Sequence, residues 1–281
     1  MSTPKPGAPS LADRFKGLTR DAYNARWDDL WSEGATSWDR GAPSPALVDL
    51  LRSDPRCCDT HSRLGPSDVV VSGDRSDKRP KRALVPGCGR GYDVLALAAA
   101  GYDVYGLEIS QNALLAAREH ERLHGQDRIY RPRMDPFTEE PMNREGKVTW
   151  LSGDFFLDDF LKDFLSALPV SMRAAWSKRY SELLEPTGRV ICLEWPSVKP
   201  AKTGGPPWSL PPKVYLSHLP RPGQELPYDE DDLLENELGP EPDDGLECIW
   251  RIQPTKTHAA GVGKDGKVTD WLSIWRHKVV A

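Results

Sequence analysis

Two hydrophobic periods alternate along this chain. DAYNARWDDLWSE, Asp21 to Glu33, sets Trp27 and Trp31 four residues apart, on one face of a predicted helix. Ala42 to Arg52 predicts a short second helix, with Pro45 suited to its first turn. Ala83-Leu84-Val85-Pro86 is a short apolar run of the kind that forms a buried parallel strand. Glycines interrupt at Gly87, Gly89 and Gly91, and Tyr92 to Ala100 then carries a helical apolar face of Val94, Leu95, Leu97 and Ala98. Gly101 stops that helix, Tyr102 to Leu107 predicts the next strand, and Glu108 stands at its carboxyl end. A long helix is predicted over Gln111 to His124 with Ser110 as its cap, then a third strand over Lys147 to Leu151. Met172, Trp176, Tyr180 and Leu183 recur at helical spacing between Pro169 and Leu184, ahead of a strand at Arg189 to Trp195. Leu246 to Ile252 and Asp270 to Trp275 predict two further strands, paired as an antiparallel hairpin. Strand, helix, strand in this order predicts an α/β fold built on a mostly parallel twisted sheet.

The remaining segments read as polar connections. Residues 1–16 are rich in Pro, Ser and Gly and are expected to be disordered. Residues 55–82 read as a solvated loop and 126–146 as a surface insertion. Residues 196–227 hold nine prolines and read either as a loop shaping a substrate site or as an extended surface excursion. The acidic run from Asp229 to Asp244 predicts a short helix near Asp231 to Leu238. Residues 17–281 are expected to form a single domain.

Composition narrows the functional classes. A net charge of −5 over 281 residues gives no basic footprint for nucleic acid. No 18-residue apolar run suggests a membrane span, and the N-terminus lacks the apolar core of a secretory signal, so a cytoplasmic protein is expected. The five cysteines, Cys57, Cys58, Cys88, Cys192 and Cys248, lack metal-binding spacing and read as free thiols. Cys88 reads as a small side chain tolerated in the glycine turn rather than a reactive thiol. His120 and His124 have the spacing of a metal-binding pair but no evident third ligand, so no metal is expected.

The candidate chemistry lies between Arg82 and Ser110. Glycines in the first turn of a βαβ unit let a ligand approach bare backbone, and a carboxylate ending the second strand can accept hydrogen bonds from ribose hydroxyls. A nucleoside-bearing ligand is therefore expected at Gly87 and Glu108. The spacing is G-x-G-x-G rather than the dinucleotide pattern G-x-G-x-x-G, which speaks against a dehydrogenase.

LVPGCGRGYDVLALA followed by YGLEIS closely resembles the family of thiopurine, thiol and halide methyltransferases, with Glu108 where Asp is usual. The similarity runs from about Trp27 to the C-terminus. It implies a Rossmann-like class I methyltransferase fold, S-adenosyl-L-methionine as cofactor, and a small-molecule acceptor such as a thiol, a halide or thiocyanate. A monomer is expected. It also implies that Trp27, Trp31 and Trp38 form a lid over the cofactor, where indole faces would favour the sulfonium cation by roughly 0.5–2 kcal/mol. Gly153-Asp154-Phe155-Phe156 resembles the family's GDFF turn, in which Asp154 would accept from the adenine amino group and Phe155 would lie along the ring. No catalytic acid, base or metal is implied, because a sulfonium donor and a thiolate need only alignment and desolvation.

One segment departs from the family. A buried run resembling FDLIYDYTF usually precedes LSALP, yet here FFLDDFLKDF leads straight into Leu165-Ser166-Ala167-Leu168-Pro169. The fourth strand is thus expected to be missing, or replaced by a shifted Asp163 to Leu168. This raises the alternative of a catalytically impaired protein that still binds S-adenosylmethionine.

Overall fold

The computed structural model describes residues 9–53, 81–156 and 167–279. Three strands, β1 (Arg82–Pro86), β2 (Asp103–Glu108) and β3 (Val148–Ser152), pair in parallel in the order β1-β2-β3. Helix α4 (Tyr92–Ala99) joins β1 to β2, and α5 (Gln111–His124) follows β2 with the Ser110 hydroxyl accepting from the Ala113 amide. A second sheet holds β4 (Val190–Glu194), β5 (Leu246–Ile252) and β6 (Trp271–His277), antiparallel in the order β4-β6-β5. The predicted antiparallel pair is therefore present, and β6 is also zipped along β4.

Among the described residues the mostly parallel sheet expected from the sequence is present as two paired sets, β1-β2-β3 and β4-β6-β5. They nevertheless lie in one layer, because strand alternation sends residues of both to shared cores. Leu84 of β1 and Val190 and Cys192 of β4 belong to the core built on Trp176, Tyr215 and Trp275. Ala83 and Val85 of β1 and Ile191 and Leu193 of β4 belong to the opposite core, with Leu47, Val94 and Leu97. Among the described residues no backbone ladder joins β1 to β4, although both strands send residues into the same two cores. Residues 157–166, where the fourth strand is expected to be missing or replaced, lie outside the described residues, as do 1–8 and the Cys57-Cys58 loop.

Helices cover both faces. α3 (Pro45–Ser53) packs Leu47 beside α4, and α6 (Arg173–Leu183) buries Ala174 and Trp176. Three segments depart from the sequence reading. Within the N-terminal stretch expected to be disordered, α1 (Leu11–Phe15) is set by a reciprocal Ser10–Asp13 capping box and by Phe15, whose ring lies 4.6 Å from those of Tyr23 and Trp27. The proline-rich stretch is neither a surface excursion nor free of structure. It contains α7 (Pro212–His218), and Leu210, Val214, Tyr215 and Leu219 enter the main core. Residues 231–238 do not form a helix; a bridge between Tyr228 and Leu234 and the Asp229 side chain, accepting from the Asp231 and Leu233 amides, organise a turn instead. Among the described residues no helix is long and apolar enough to cross a membrane.

Candidate functional site

The turn after β1 is shaped by three glycines with positive φ: Gly87 at 59°, Gly89 at 52° and Gly91 at 79°. The Cys88 amide donates to Leu107 O at 3.0 Å, which ties the turn to β2. Glu108, ending β2, is buried and holds the turn from the other side. Its Oε2 accepts from the Gly89 amide at 3.0 Å, and its Oε1 accepts from the Ile109 and Ser110 amides at 2.8 and 3.0 Å. The sequence places glycine and carboxylate at the ends of adjacent parallel strands, and the ladder register Pro86↔Leu107 brings them together.

The expected lid is α2 (Arg20–Ser32), which buries Tyr23, Trp27 and Leu30. The Trp38 ring stands nearly perpendicular to Trp27 at 5.0 Å and to Trp31 at 6.0 Å, so the three indoles form one aromatic wall. Trp31 reaches the glycine turn, where a Cβ on Gly89 would lie 3.4 Å from its ring. Asp28 fastens the helix to the start of α5. It accepts from the Ser110 hydroxyl at 2.6 Å, the Asn112 amide at 3.1 Å and the Asn112 side chain at 2.9 Å. Burial alone would raise the Asp28 carboxyl, but these donors hold it below its ordinary value. Asp28→Ala is expected to free this end of the helix and weaken S-adenosylmethionine binding about tenfold, as calorimetry would show; charge-assisted hydrogen bonds of about 1.5–3 kcal/mol are lost, while the rest of the lid packing remains.

Asp39 performs the same service for the segment after Trp38. It accepts from Arg90 Nε at 2.7 Å, the Tyr92 hydroxyl at 2.8 Å and the Gly41 amide at 2.9 Å. Between lid and turn lies a cavity of about 380 Å³. Trp27, Trp31, Trp38, Gly87 and Glu108 all border it, so five of the seven residues named from the sequence converge. Leu193, Trp195, Thr257, His258, Asp270 and Trp271, from the second sheet and its connections, close the other wall.

Asp154 and Phe155 are not brought into this cavity. Phe155 is fully buried in the main core, 5.1 Å from the Tyr180 ring, so neither ring face is open to a ligand. Asp154 accepts from Arg20 at 3.2 and 3.3 Å and from the Asn24 side chain at 3.1 Å, which ties down the first turns of α2. Arg20 and Asn24 lie far away in sequence, so local pattern could not foresee this partnership. Among the described residues no group of three side chains could hold a metal; His120 meets the Tyr130 hydroxyl at 3.1 Å and His124 meets Asp127 at 3.0 Å.

Asp93, also on the cavity wall, accepts from the Ser44 amide at 2.8 Å, and burial pushes its carboxyl up to about 6. Its folded value exceeds the unfolded 3.8, so the folded state binds the extra proton between these values and stability falls as pH rises through the interval. Asp93→Asn is therefore expected to stabilise the fold by about 1–3 kcal/mol at pH 8. The gain should vanish by about pH 4 in denaturant titrations run at both pH values.

The family model for thiopurine S-methyltransferase (TPMT) matches residues 71–241. The chain belongs to this family. Among curated relatives, TPMT-family similarity extends to "Probable thiol methyltransferase 2" of Arabidopsis thaliana, 28% identical over 249 residues, 88% of this chain and 93% of that protein. "Thiocyanate methyltransferase 1" of Brassica oleracea is 33% identical over 202 residues, 71% of this chain and 74% of that protein. A solved structure described under "Conversion of a Disulfide Bond into a Thioacetal Group during Echinomycin Biosynthesis" aligns with 91% of this chain and 92% of its own, at 16% identity and a TM-score of 0.52, and shares the fold. This TPMT-family chain is thus a Rossmann-like, S-adenosyl-L-methionine-dependent methyltransferase. Sequence reasoning missed Asp93, in the first turn of α4, whose burial comes from packing against the Ser44 segment, and the second wall around Asp270, whose members lie far apart in the chain.

Proposed function

We propose that the chain transfers a methyl group from S-adenosyl-L-methionine to a small soft nucleophile, foremost a thiol. When bound, the cofactor supplies a methyl group on a sulfonium sulfur. The residues present fit it. Glu108 offers carboxylate oxygens for ribose hydroxyls, the glycine turn offers backbone, and the indoles of Trp27, Trp31 and Trp38 offer π-faces to the cation. Trp27 Nε1 is a buried donor with no protein partner and borders the same cavity, as a ligand-binding group would.

The observation that carries this reading is the convergence of the aromatic wall and Glu108 on one mostly apolar cavity. Such a pocket desolvates the acceptor sulfur and aligns it, and proximity can lower the barrier by about 7–11 kcal/mol. The relatives named for thiol and thiocyanate methylation support a soft acceptor. In this reading Asp154 serves by fixing the lid helix, and residues 17–281 act as one monomeric domain in the cytoplasm. Incubation of the chain with S-adenosylmethionine and a panel of thiols, thiocyanate and iodide tests it: methylated product from at least one is expected. A second reading rests on the sequence between Phe156 and Phe164, which holds no apolar run suited to a fourth strand, namely a protein that binds the cofactor without turnover. Calorimetric binding of S-adenosylmethionine with no product from any acceptor would select that reading.

A further inference from the structure

Asp270 immediately precedes β6, and the pairing of Glu194 with Trp271 places it at the carboxyl end of β4, on the cavity wall. It is 8% exposed. Its Oδ2 accepts from the Thr257 hydroxyl, whereas its Oδ1 is buried with no hydrogen-bond partner. The nearby Thr269 hydroxyl is committed to Gly261 O at 3.0 Å. Backbone closes in behind the carboxylate, since a Cβ on Gly261 would fall 1.8 Å from Oδ2. A buried carboxylate oxygen left unpaired is costly unless a ligand supplies a donor.

The surrounding charges suit an acid–base role. Arg40 stacks over the Trp195 ring at 5.2 Å and makes one long bond, to Ser37 O at 3.4 Å; its charge acts on Asp270. His258 borders the same wall, and burial and Arg40 both lower its tendency to protonate. Burial raises the Asp270 carboxyl above its ordinary value, while the Thr257 hydroxyl and the Arg40 charge pull it part of the way back.

Building on the S-methyltransferase reading, we propose that Asp270 Oδ1 is the proton acceptor for a neutral thiol bound at the second wall of the cavity. The thiol S–H bond breaks and its proton passes to Oδ1. A sulfur lone pair forms the new S–C bond to the sulfonium methyl. The electrons of the cleaved C–S⁺ bond return to the donor sulfur, leaving S-adenosylhomocysteine, and Asp270 then releases the proton to water. Acceptors of high pKa, such as alkyl thiols, thereby become substrates near neutral pH, where little thiolate exists in solution.

Wild type and Asp270→Asn are compared at one pH with an alkyl thiol and with an acidic arylthiol that is already ionised. The variant is expected to lose about 100-fold in kcat/KM for the alkyl thiol and less than about threefold for the ionised one. Calorimetric affinity for S-adenosylmethionine should stay within about twofold, because Asp270 does not hold the cofactor. Equal losses for both thiols, or no loss for the alkyl thiol, would overturn the assignment. Thr257→Val supplies an independent readout that keeps the carboxylate. Removing the hydroxyl donor should shift the acid limb of the alkyl-thiol pH profile upward, and an unmoved limb also counts against Asp270. If Asp270→Asn does not fold, that limb decides. A wild type that binds S-adenosylmethionine but methylates no thiol would instead overturn the acceptor reading itself, and this inference with it.

Discussion

Replacing Glu108 by Ala is expected to weaken S-adenosylmethionine binding by at least about 100-fold, equivalent to about 2.7 kcal/mol. The carboxylate has two tasks. It accepts from the amides of Gly89, Ile109 and Ser110, which fixes the glycine turn against the start of α5. In the proposed function it would also present the acceptor oxygens that ribose hydroxyls require at the end of the second strand. Charge-assisted hydrogen bonds are roughly twice as strong as neutral ones, and the amides left behind are partly buried, so truncation loses binding and leaves donors unsatisfied. Glu108→Gln keeps one acceptor oxygen but loses the charge, and an intermediate loss of about tenfold is expected. Calorimetry on both variants, with far-ultraviolet circular dichroism to confirm the fold, checks the ordering. Affinity within about threefold of wild type for Glu108→Ala would place the ribose elsewhere.

The part of this site legible in the sequence is the part made by neighbours in the chain. A strand, three glycines, a helix, a strand and a carboxylate fall within Arg82 to Ser110, and the strand ladder does the rest. Two tryptophans at helical spacing identify α2, though not what fastens it. That fastening depends on Asp28 reaching Asn112, Arg20 reaching Asp154 and the Tyr23 hydroxyl donating to Ala167 O at 2.5 Å, contacts with no trace in local periodicity. The same reason hides the second wall. Asp270 acquires its character from Thr257 and Arg40, and in sequence it is only the first residue of a predicted strand.

Helix α7 was obscured differently. Pro212 is suited to a first turn, and Val214, Tyr215 and Leu219 mark an apolar face, but nine prolines in 196–227 suggest irregular chain to any local reading. The GDFF-like turn shows a different limit of local reading. The residues resemble a ligand-binding motif, yet the apolar demand of the core takes the Phe155 ring, and a cation on the lid helix takes Asp154. Gly91 also changes meaning. In the sequence it is one of three glycines open to a ligand, whereas in the fold its missing side chain makes room for the protein itself.

That distinction yields the largest expected effect on stability: Gly91→Ala should destabilise the fold by about 3–5 kcal/mol. Gly91 caps α4 in the left-handed region, with φ 79° and ψ 17°, where an alanine is disfavoured by about 1–2 kcal/mol. A Cβ at this position would also stand 2.2 Å from the Trp150 ring, too close for any relaxation confined to one side chain. Trp150 cannot simply swing away. Its Nε1 donates to Glu121 of α5 at 2.7 Å, and its ring packs in the core shared by Val94 and Val104. The strain therefore passes into the turn, where the Gly91 amide donates to Cys88 O at 2.8 Å and Glu108 reads the Gly89 amide. Cofactor affinity should fall along with the unfolding midpoint. A double-mutant cycle with Trp150→Leu separates the causes. Removing the indole relieves the clash, so the double variant should be more stable than the sum of the single losses by about 1–3 kcal/mol, measured by denaturant unfolding. Strict additivity would show that the cost lies in backbone conformation alone and that Gly91 and Trp150 do not contend for the same space.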